Sequence, residues 1–152
     1  MKRVLMGVAV LASVGLTWAG PVDKSVDTIL DNYFKIQSAL AQDKTAGIDG
    51  AAKAIQTSAE SVKTTDPELK TLLTQIQSAA GEIQGQSLEA ARGTFFDLSR
   101  PLLVYLNKFH SNKDGYYRFF CPMAKKGWIQ SDKDTRNPYY GASMLKCGEL
   151  IK

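Results

Sequence analysis

Apolar residues recur at three- and four-residue intervals through the first two thirds of the chain. The first such stretch contains Val26, Ile29, Leu30, Tyr33, Phe34, Ile36 and Leu40. This spacing places apolar side chains on one face of a helix. It predicts an amphipathic helix, then a loop at residues 43–50, which holds two glycines, and then an alanine-rich helix at residues 51–62.

Two further helices are predicted between residues 66 and 106. Asp66 is suited to capping the third helix, and Pro67 follows at its first helical position. The stripe of this helix consists of Leu69, Leu72, Leu73, Ile76, Ala79, Ala80 and Ile83. Ser87 is placed to cap the fourth helix, whose stripe consists of Leu88, Ala91, Phe95, Leu98, Leu102 and Leu106. Pro101 is expected to kink or divide this helix, because its ring removes one backbone donor.

The helical pattern stops near residue 110. An aromatic run at residues 116–120 predicts a strand that leads into Cys121, and a turn at Lys126 and Gly127 predicts a second short strand around Trp128. Residues 142–150 are predicted to form a last short helix. The fold is therefore expected to be mainly α: an antiparallel four-helix bundle over residues 20–110, followed by a small irregular C-terminal lobe over residues 111–152. That lobe contains a short β-hairpin and a terminal helical turn, and residues 20–152 form a single domain.

The amino terminus has the three-part pattern of a secretory signal. Lys2 and Arg3 are followed by an apolar stretch from Val4 to Leu16 and by small residues up to Ala19. That stretch is shorter than the roughly 20 residues needed to span a bilayer. We expect residues 1–19 to be a cleaved signal peptide, and the mature protein to be periplasmic or secreted without a stable membrane anchor.

The two parts of the mature chain also differ in the sign of their net charge. Residues 20–104 carry eight basic and eleven acidic residues, whereas residues 105–152 carry nine basic and four acidic ones. A basic lobe suits an acidic partner or a phospholipid surface, although dispersed charge is commonly just a solvated face. Export argues against nucleic acid as the partner.

Composition excludes several kinds of site within one chain. His110 is the single histidine, which excludes a zinc site built on two imidazoles, and two cysteines exclude a four-thiolate cage. The sequence has no phosphate-binding loop, nucleophile elbow or C-x-x-C pair. We therefore expect a protein that is not an enzyme.

The candidate binding site consists of sulfur-containing side chains. Cys121 and Met123 lie two residues apart, and Met144 and Cys147 lie three apart. Thiolates and thioethers are soft ligands suited to Cu(I), so these four residues form a candidate metal site. The alternative is a disulfide between Cys121 and Cys147 in the apo or oxidised protein, with both methionines as packing residues.

The sequence resembles a bacterial domain of unknown function, found as stand-alone exported proteins and appended to periplasmic adaptor subunits of copper/silver efflux systems. The C-terminal elements of this resemblance are Phe120-Cys121-Pro122-Met123-Ala124, Trp128, Asn137-Pro138-Tyr139-Tyr140-Gly141, Met144-Leu145 and Cys147-Gly148. Its upstream elements are Tyr33-Phe34, Ile36-Gln37, Ala39-Leu40-Ala41, Asp43, Arg92, Phe95 and Leu98-Ser99.

The resemblance implies an exported helical domain that handles copper or another heavy metal. It implies Cys121, Met123, Met144 and Cys147 as metal ligands and a metal-efflux adaptor or transporter component as the partner. We therefore expect a periplasmic Cu(I)-binding protein that buffers the ion or hands it to an efflux system. The alternative is a disulfide-stapled protein-interaction module without metal.

Overall fold

A computed structural model describes residues 21–109 and 115–151, so the predicted signal peptide and His110 lie outside the described residues. These described residues form four α-helices, a three-stranded sheet and a short 3₁₀ turn. The helices are α1 (Pro21–Ala41), α2 (Ile48–Ser61), α3 (Pro67–Glu82) and α4 (Leu88–Phe109). The strands are β1 (Tyr117–Cys121), β2 (Lys126–Gln130) and β3 (Glu149–Ile151), and the 3₁₀ turn is Gly141–Met144. The predicted mainly-α fold, with four helices and a small hairpin-containing lobe, is confirmed.

Local signals in the sequence set the helix ends. The Asp66 carboxylate accepts hydrogen bonds from the N–H groups of Glu68 and Leu69, at 2.8 and 2.9 Å, which satisfies two donors that have no partner within α3. Ser87 accepts a longer bond of 3.4 Å from the Ala90 N–H. Pro101 lies inside α4, which continues on both sides of it, so the helix is not divided.

Helices that follow one another in the chain pack side by side, whereas α1 and α4 touch each other little. Strand β2 packs against α4 and also contacts α1, so the lobe covers the seam between the first and last helices. The buried residues of both parts form one continuous cluster, in which Trp128, Tyr33, Phe95 and Phe119 are the largest fully buried side chains. The lobe therefore shares the core of the bundle.

The Tyr33 hydroxyl ties α1, α4 and β2 together. Ser99 donates its hydroxyl proton to the Phe95 carbonyl, so Tyr33 donates to the Ser99 Oγ at 2.8 Å. The same Tyr33 oxygen accepts the Ile129 N–H at 3.2 Å. Burial raises the pKa of Tyr33 above its ordinary value, which keeps the hydroxyl proton in place for this network.

Strand β1 is the middle strand of the antiparallel sheet, in the order β2-β1-β3. Phe119 pairs with Trp128 on one side and with Leu150 on the other. The single helix predicted for residues 142–150 is wrong, because the 3₁₀ turn ends at Met144 and the chain then extends into β3. Pairing with β1, a contact distant in sequence, overrides the local helical spacing there.

No helix within the described residues is long and apolar enough to cross a membrane.

Candidate functional site

The hairpin between β1 and β2 places Cys121 at the end of a strand. Cys121 pairs with Lys126, and residues 122–125 form the loop between them. Lys125 has φ +54°, in the left-handed region, which lets this short loop reverse the chain. The Cys121 side chain is fully buried beside the core residues Phe119 and Trp128.

Cys147 reaches the same point from the other end of the lobe. Its N–H donates to the Met144 carbonyl at 2.9 Å, which continues the 3₁₀ turn, and its own carbonyl accepts the Asn137 Nδ2–H at 2.6 Å. The two sulfur atoms lie 2.9 Å apart. Residues that are 26 positions apart in the sequence thus form a thiol pair.

Several donors converge on the Cys121 sulfur. Burial by itself raises the pKa of this thiol, but hydrogen bonds from Cys147, the Ala124 N–H and Asn137 outweigh it, so the pKa lies below the ordinary value. The Ala124 N–H approaches the Cys121 Sγ at 3.4 Å. The pKa of Cys147 is raised, mainly because its thiol donates to Cys121. The pair therefore loses its first proton readily and holds the second between the two sulfurs.

The two methionines differ from the cysteines in their setting. Met123 is 66% exposed, on the rim of a cleft that Arg92, Tyr139 and Ser143 also line. Met144 is half-buried in the 3₁₀ turn. Within the described residues, no group of three or more His, Cys, Asp or Glu side chains is arranged to hold a metal ion. The thiol pair is therefore the core of the candidate site.

Aromatic rings form the inner wall of the site. Trp128 stacks on Phe119 with ring centroids 5.2 Å apart and meets Tyr139 edge-on at 6.0 Å. The Tyr139 hydroxyl donates to the Gly127 carbonyl at 2.5 Å. Gly148, the residue after Cys147, passes so close to the indole that a Cβ there would lie 2.3 Å from a Trp128 ring carbon. The wall thus fixes the path of the chain beside Cys147.

We expect Gly148→Ala to lower the free energy of unfolding by about 1–3 kcal/mol, because the added methyl group meets a packed ring that has no room to move. Urea denaturation followed by circular dichroism measures this change. Gly93→Ala is the matched control, since a Cβ there meets no atom within 4 Å and the residue lies inside α4. That control should leave stability unchanged or slightly raised. Equal effects of the two substitutions would contradict the steric explanation.

Two buried amides hold the loop that carries the site. The Gln130 Nε2–H donates to the carbonyls of Asp132 and Asp134, and its Oε1 accepts the Trp128 indole N–H at 3.0 Å. The Asn137 Oδ1 accepts the Tyr139 N–H at 2.8 Å while its Nδ2–H holds the Cys147 carbonyl. Asn137 was named from the sequence as part of the family resemblance, and Gln130 was not selected. The local sequence contains no signal for either residue, because their partners are brought close only by the fold.

Arg92 and Asp43 connect the lobe to the helices. Arg92 forms an ion pair with Asp43 and donates to the carbonyls of Leu40 and Pro138, at 3.0 and 3.2 Å. Asp43 also accepts the Ala142 N–H at 3.1 Å, and the bond from Arg92 is the main reason why the pKa of this carboxyl is lowered. Gly141, at φ +56°, passes so close that a Cβ would overlap the pair. The Arg92–Asp43 ion pair and its hydrogen bonds therefore position the 3₁₀ turn that leads to Cys147.

Comparison with known protein families identifies one of them. The family described as "Protein of unknown function (DUF3347)" matches residues 29–114, more than half of the chain. The chain belongs to this family. The DUF3347 match runs from α1 through α4 and ends before β1, so it covers Asp43, Arg92 and Phe95 but neither cysteine. A search of curated proteins and a search of solved structures each found no significant match.

Proposed function

We propose that this DUF3347 protein is an exported, periplasmic metal-binding protein that holds Cu(I) through Cys121 and Cys147. It buffers the ion or passes it to an efflux system. The approach of the two sulfurs to 2.9 Å is the observation that carries the proposal. Two thiolates are soft donors that favour Cu(I) over hard cations.

The site fits a two-thiolate ion with one adjustment. A zinc–thiolate bond is about 2.3 Å long, and on that scale an ion held between two sulfurs separates them by up to roughly 4.6 Å. The thiols must therefore move apart from their contact of 2.9 Å. Cys147 is the one with room to move, because it is half-buried whereas Cys121 is packed in the core.

The neighbours of Cys121 favour an anionic complex. A monovalent ion bound by two thiolates carries one net negative charge, which hydrogen-bond donors stabilise. The Ala124 N–H already lies 3.4 Å from the Cys121 sulfur, and the nearby Asn137 amide contributes to the lowered pKa of that thiol. On the inner side, Trp128 and Phe119 keep water away.

The methionines supply additional ligands in this proposal. Thioethers carry no proton at ordinary pH, so Met123 and Met144 bind a soft ion without competition from protons. Met123 is exposed at the rim and only two residues from Cys121, which suits it to receive an ion from solvent or from a partner. Met144 lies in the turn that leads to Cys147.

Export and the efflux partner rest on the sequence. The signal-like residues 1–19 support a periplasmic location. The periplasm is oxidising, so two neighbouring thiols tend to form a disulfide there instead of staying reduced as metal ligands. The resemblance to a domain appended to copper/silver efflux adaptors supports an adaptor or transporter component as the partner.

A Cu(I) titration tests the proposal directly. Reduced protein competes with a coloured Cu(I) chelator, and we expect it to withdraw one ion per chain. Cys121→Ser/Cys147→Ser should withdraw none beyond the blank. Met123→Leu/Met144→Leu is the matched comparison, since it keeps both thiols and should weaken binding without abolishing it. Equal affinity of wild type and the double serine variant rejects the site.

The short distance between the sulfurs also favours a second candidate, a disulfide-stapled interaction module without metal. Closing a loop of about 25 residues stabilises the folded state by roughly 3 kcal/mol on the chain-entropy model. Intact mass of protein isolated from the periplasm separates the candidates. A loss of two hydrogens, together with no Cu(I) uptake after reduction, favours the stapled module.

A further inference from the structure

The two sulfurs of the candidate site differ sharply in their access to solvent. Cys121 is 0% exposed, beneath the hairpin loop and against the aromatic wall. Cys147 is half-buried, and the residue before it, Lys146, is exposed. A reagent in solution therefore reaches Cys147 while Cys121 is covered.

We infer that the thiol pair is oxidised by thiol–disulfide exchange that enters at Cys147 and is completed by Cys121, and that this oxidation closes the ion site. The oxidant is a small-molecule disulfide, R–S–S–R. The second part of the inference, the closing of the ion site, rests on the function proposed above. The first part, the order of the two cysteines, does not.

The exchange takes two steps. The Cys147 sulfur attacks one sulfur of R–S–S–R, which forms a mixed disulfide at Cys147 and releases R–S⁻. The Cys147 proton is released to solvent as its sulfur attacks. Cys121 then loses a proton to solvent and attacks the Cys147 sulfur, which forms the internal disulfide and releases the second R–S⁻. Two electrons pass from the two thiols to the small-molecule disulfide, which is reduced to two thiols.

The fold assigns these roles to the two cysteines. Cys121 is held by the β1–β2 hairpin and by the Ala124 N–H, so it stays beside Cys147 during the first step. Cys147 follows a 3₁₀ turn and precedes the three-residue edge strand β3, whose residues are all exposed. The second step needs little movement of the backbone, because the sulfurs already touch.

Oxidation in this way removes both thiolate ligands at once. A soft ion then binds only after the disulfide is reduced, so the redox state of the pair controls the occupancy of the site. One molecule of R–S–S–R oxidises the thiol pair of one chain, and no further substrate takes part.

Oxidised glutathione tests the order of the cysteines. With reduced Cys121→Ser, we expect a stable glutathione adduct at Cys147, seen by intact mass and located by peptide mapping. With Cys147→Ser, adduct formation should be at least about tenfold slower, because a buried sulfur reacts only through local opening. Wild type should pass through the adduct to the internal disulfide, with a loss of two hydrogens. Circular dichroism checks that each variant is folded, and Cys121→Ala replaces Cys121→Ser if the serine disrupts the core.

Three outcomes overturn the inference. Equal adduct rates in Cys121→Ser and Cys147→Ser contradict entry at Cys147. A wild-type adduct that persists contradicts completion by Cys121. Oxidised wild type that binds Ag(I), a redox-inert soft probe, as tightly as the reduced protein contradicts closure of the site. If reduced protein binds neither Ag(I) nor Cu(I), the proposed function fails, and the glutathione measurements still decide the order of the exchange.

Discussion

Replacing Trp128 by alanine is expected to lower the free energy of unfolding by about 3–5 kcal/mol. Trp128 is fully buried, stacks on Phe119, and donates its indole N–H to Gln130 at 3.0 Å. Truncation removes the stacked ring and leaves a cavity beside Gly148, in a lobe that has few other large core residues. Urea denaturation followed by far-ultraviolet circular dichroism measures the change.

The effect of Trp128→Ala should extend to the thiol pair. Without the indole, the chain at residues 147 and 148 loses the surface on which it rests, so we expect the Cys121 thiol to become reactive toward a small alkylating reagent. Trp128→Phe is the control, because it retains an aromatic ring against Phe119, although it loses the hydrogen bond to Gln130 and part of the ring volume. Its loss of stability should be clearly smaller. A Trp128→Ala protein with nearly unchanged stability would contradict the structure of the lobe.

Phe95→Ala is the second substitution with a large expected effect, again about 3–5 kcal/mol of unfolding free energy. Phe95 is fully buried in α4, where it stacks on Tyr33 of α1 at 4.9 Å and packs against Tyr139 of the lobe at 5.9 Å. One ring thus joins three parts of the molecule. Its loss should destabilise the bundle and the lobe together.

Two probes followed in the same denaturation experiment check this joint effect. Circular dichroism reports the helices, and the fluorescence of Trp128 reports the lobe, once the segment that contains Trp18 has been removed. Both transitions should shift by the same amount in Phe95→Ala and by less in Phe95→Leu, which preserves most of the apolar volume. If only the helical transition shifts, the two parts do not unfold as one unit.

The helices could be predicted from the sequence because their signals are local. Three- and four-residue spacing marked the buried faces, and Asp66 followed by Pro67 marked the start of α3. The hairpin around Cys121 was also predicted from an aromatic run followed by a glycine, but the predicted turn at Lys126 and Gly127 is wrong. Those two residues pair within β2, and the turn lies at residues 122–125. These features depend on residues close together in the chain.

The remaining structure depends on contacts between distant residues. Strand β3 exists because residues 149–151 meet β1, and nothing in residues 142–150 alone distinguishes it from a short helix. The roles of Asn137 and Gln130 likewise become visible only when the loop folds over Trp128. The Cys121 and Cys147 sulfurs lie 2.9 Å apart, but spacing in the sequence could not reveal that one sulfur is covered and the other accessible. The part played by Met123 and Met144 stays a prediction.

Because the helices and the lobe share one core, the folded unit extends beyond the end of the family match. The DUF3347 match ends at residue 114, yet Phe119, Trp128, Ile129 and Tyr139 belong to the same buried cluster as the helices. A recombinant fragment cut at that boundary would present the uncovered seam between α1 and α4 to water. Such a fragment should self-associate or behave as a loosely packed helical intermediate. The unit for expression, crystallisation or grafting onto another protein therefore extends at least through residue 151.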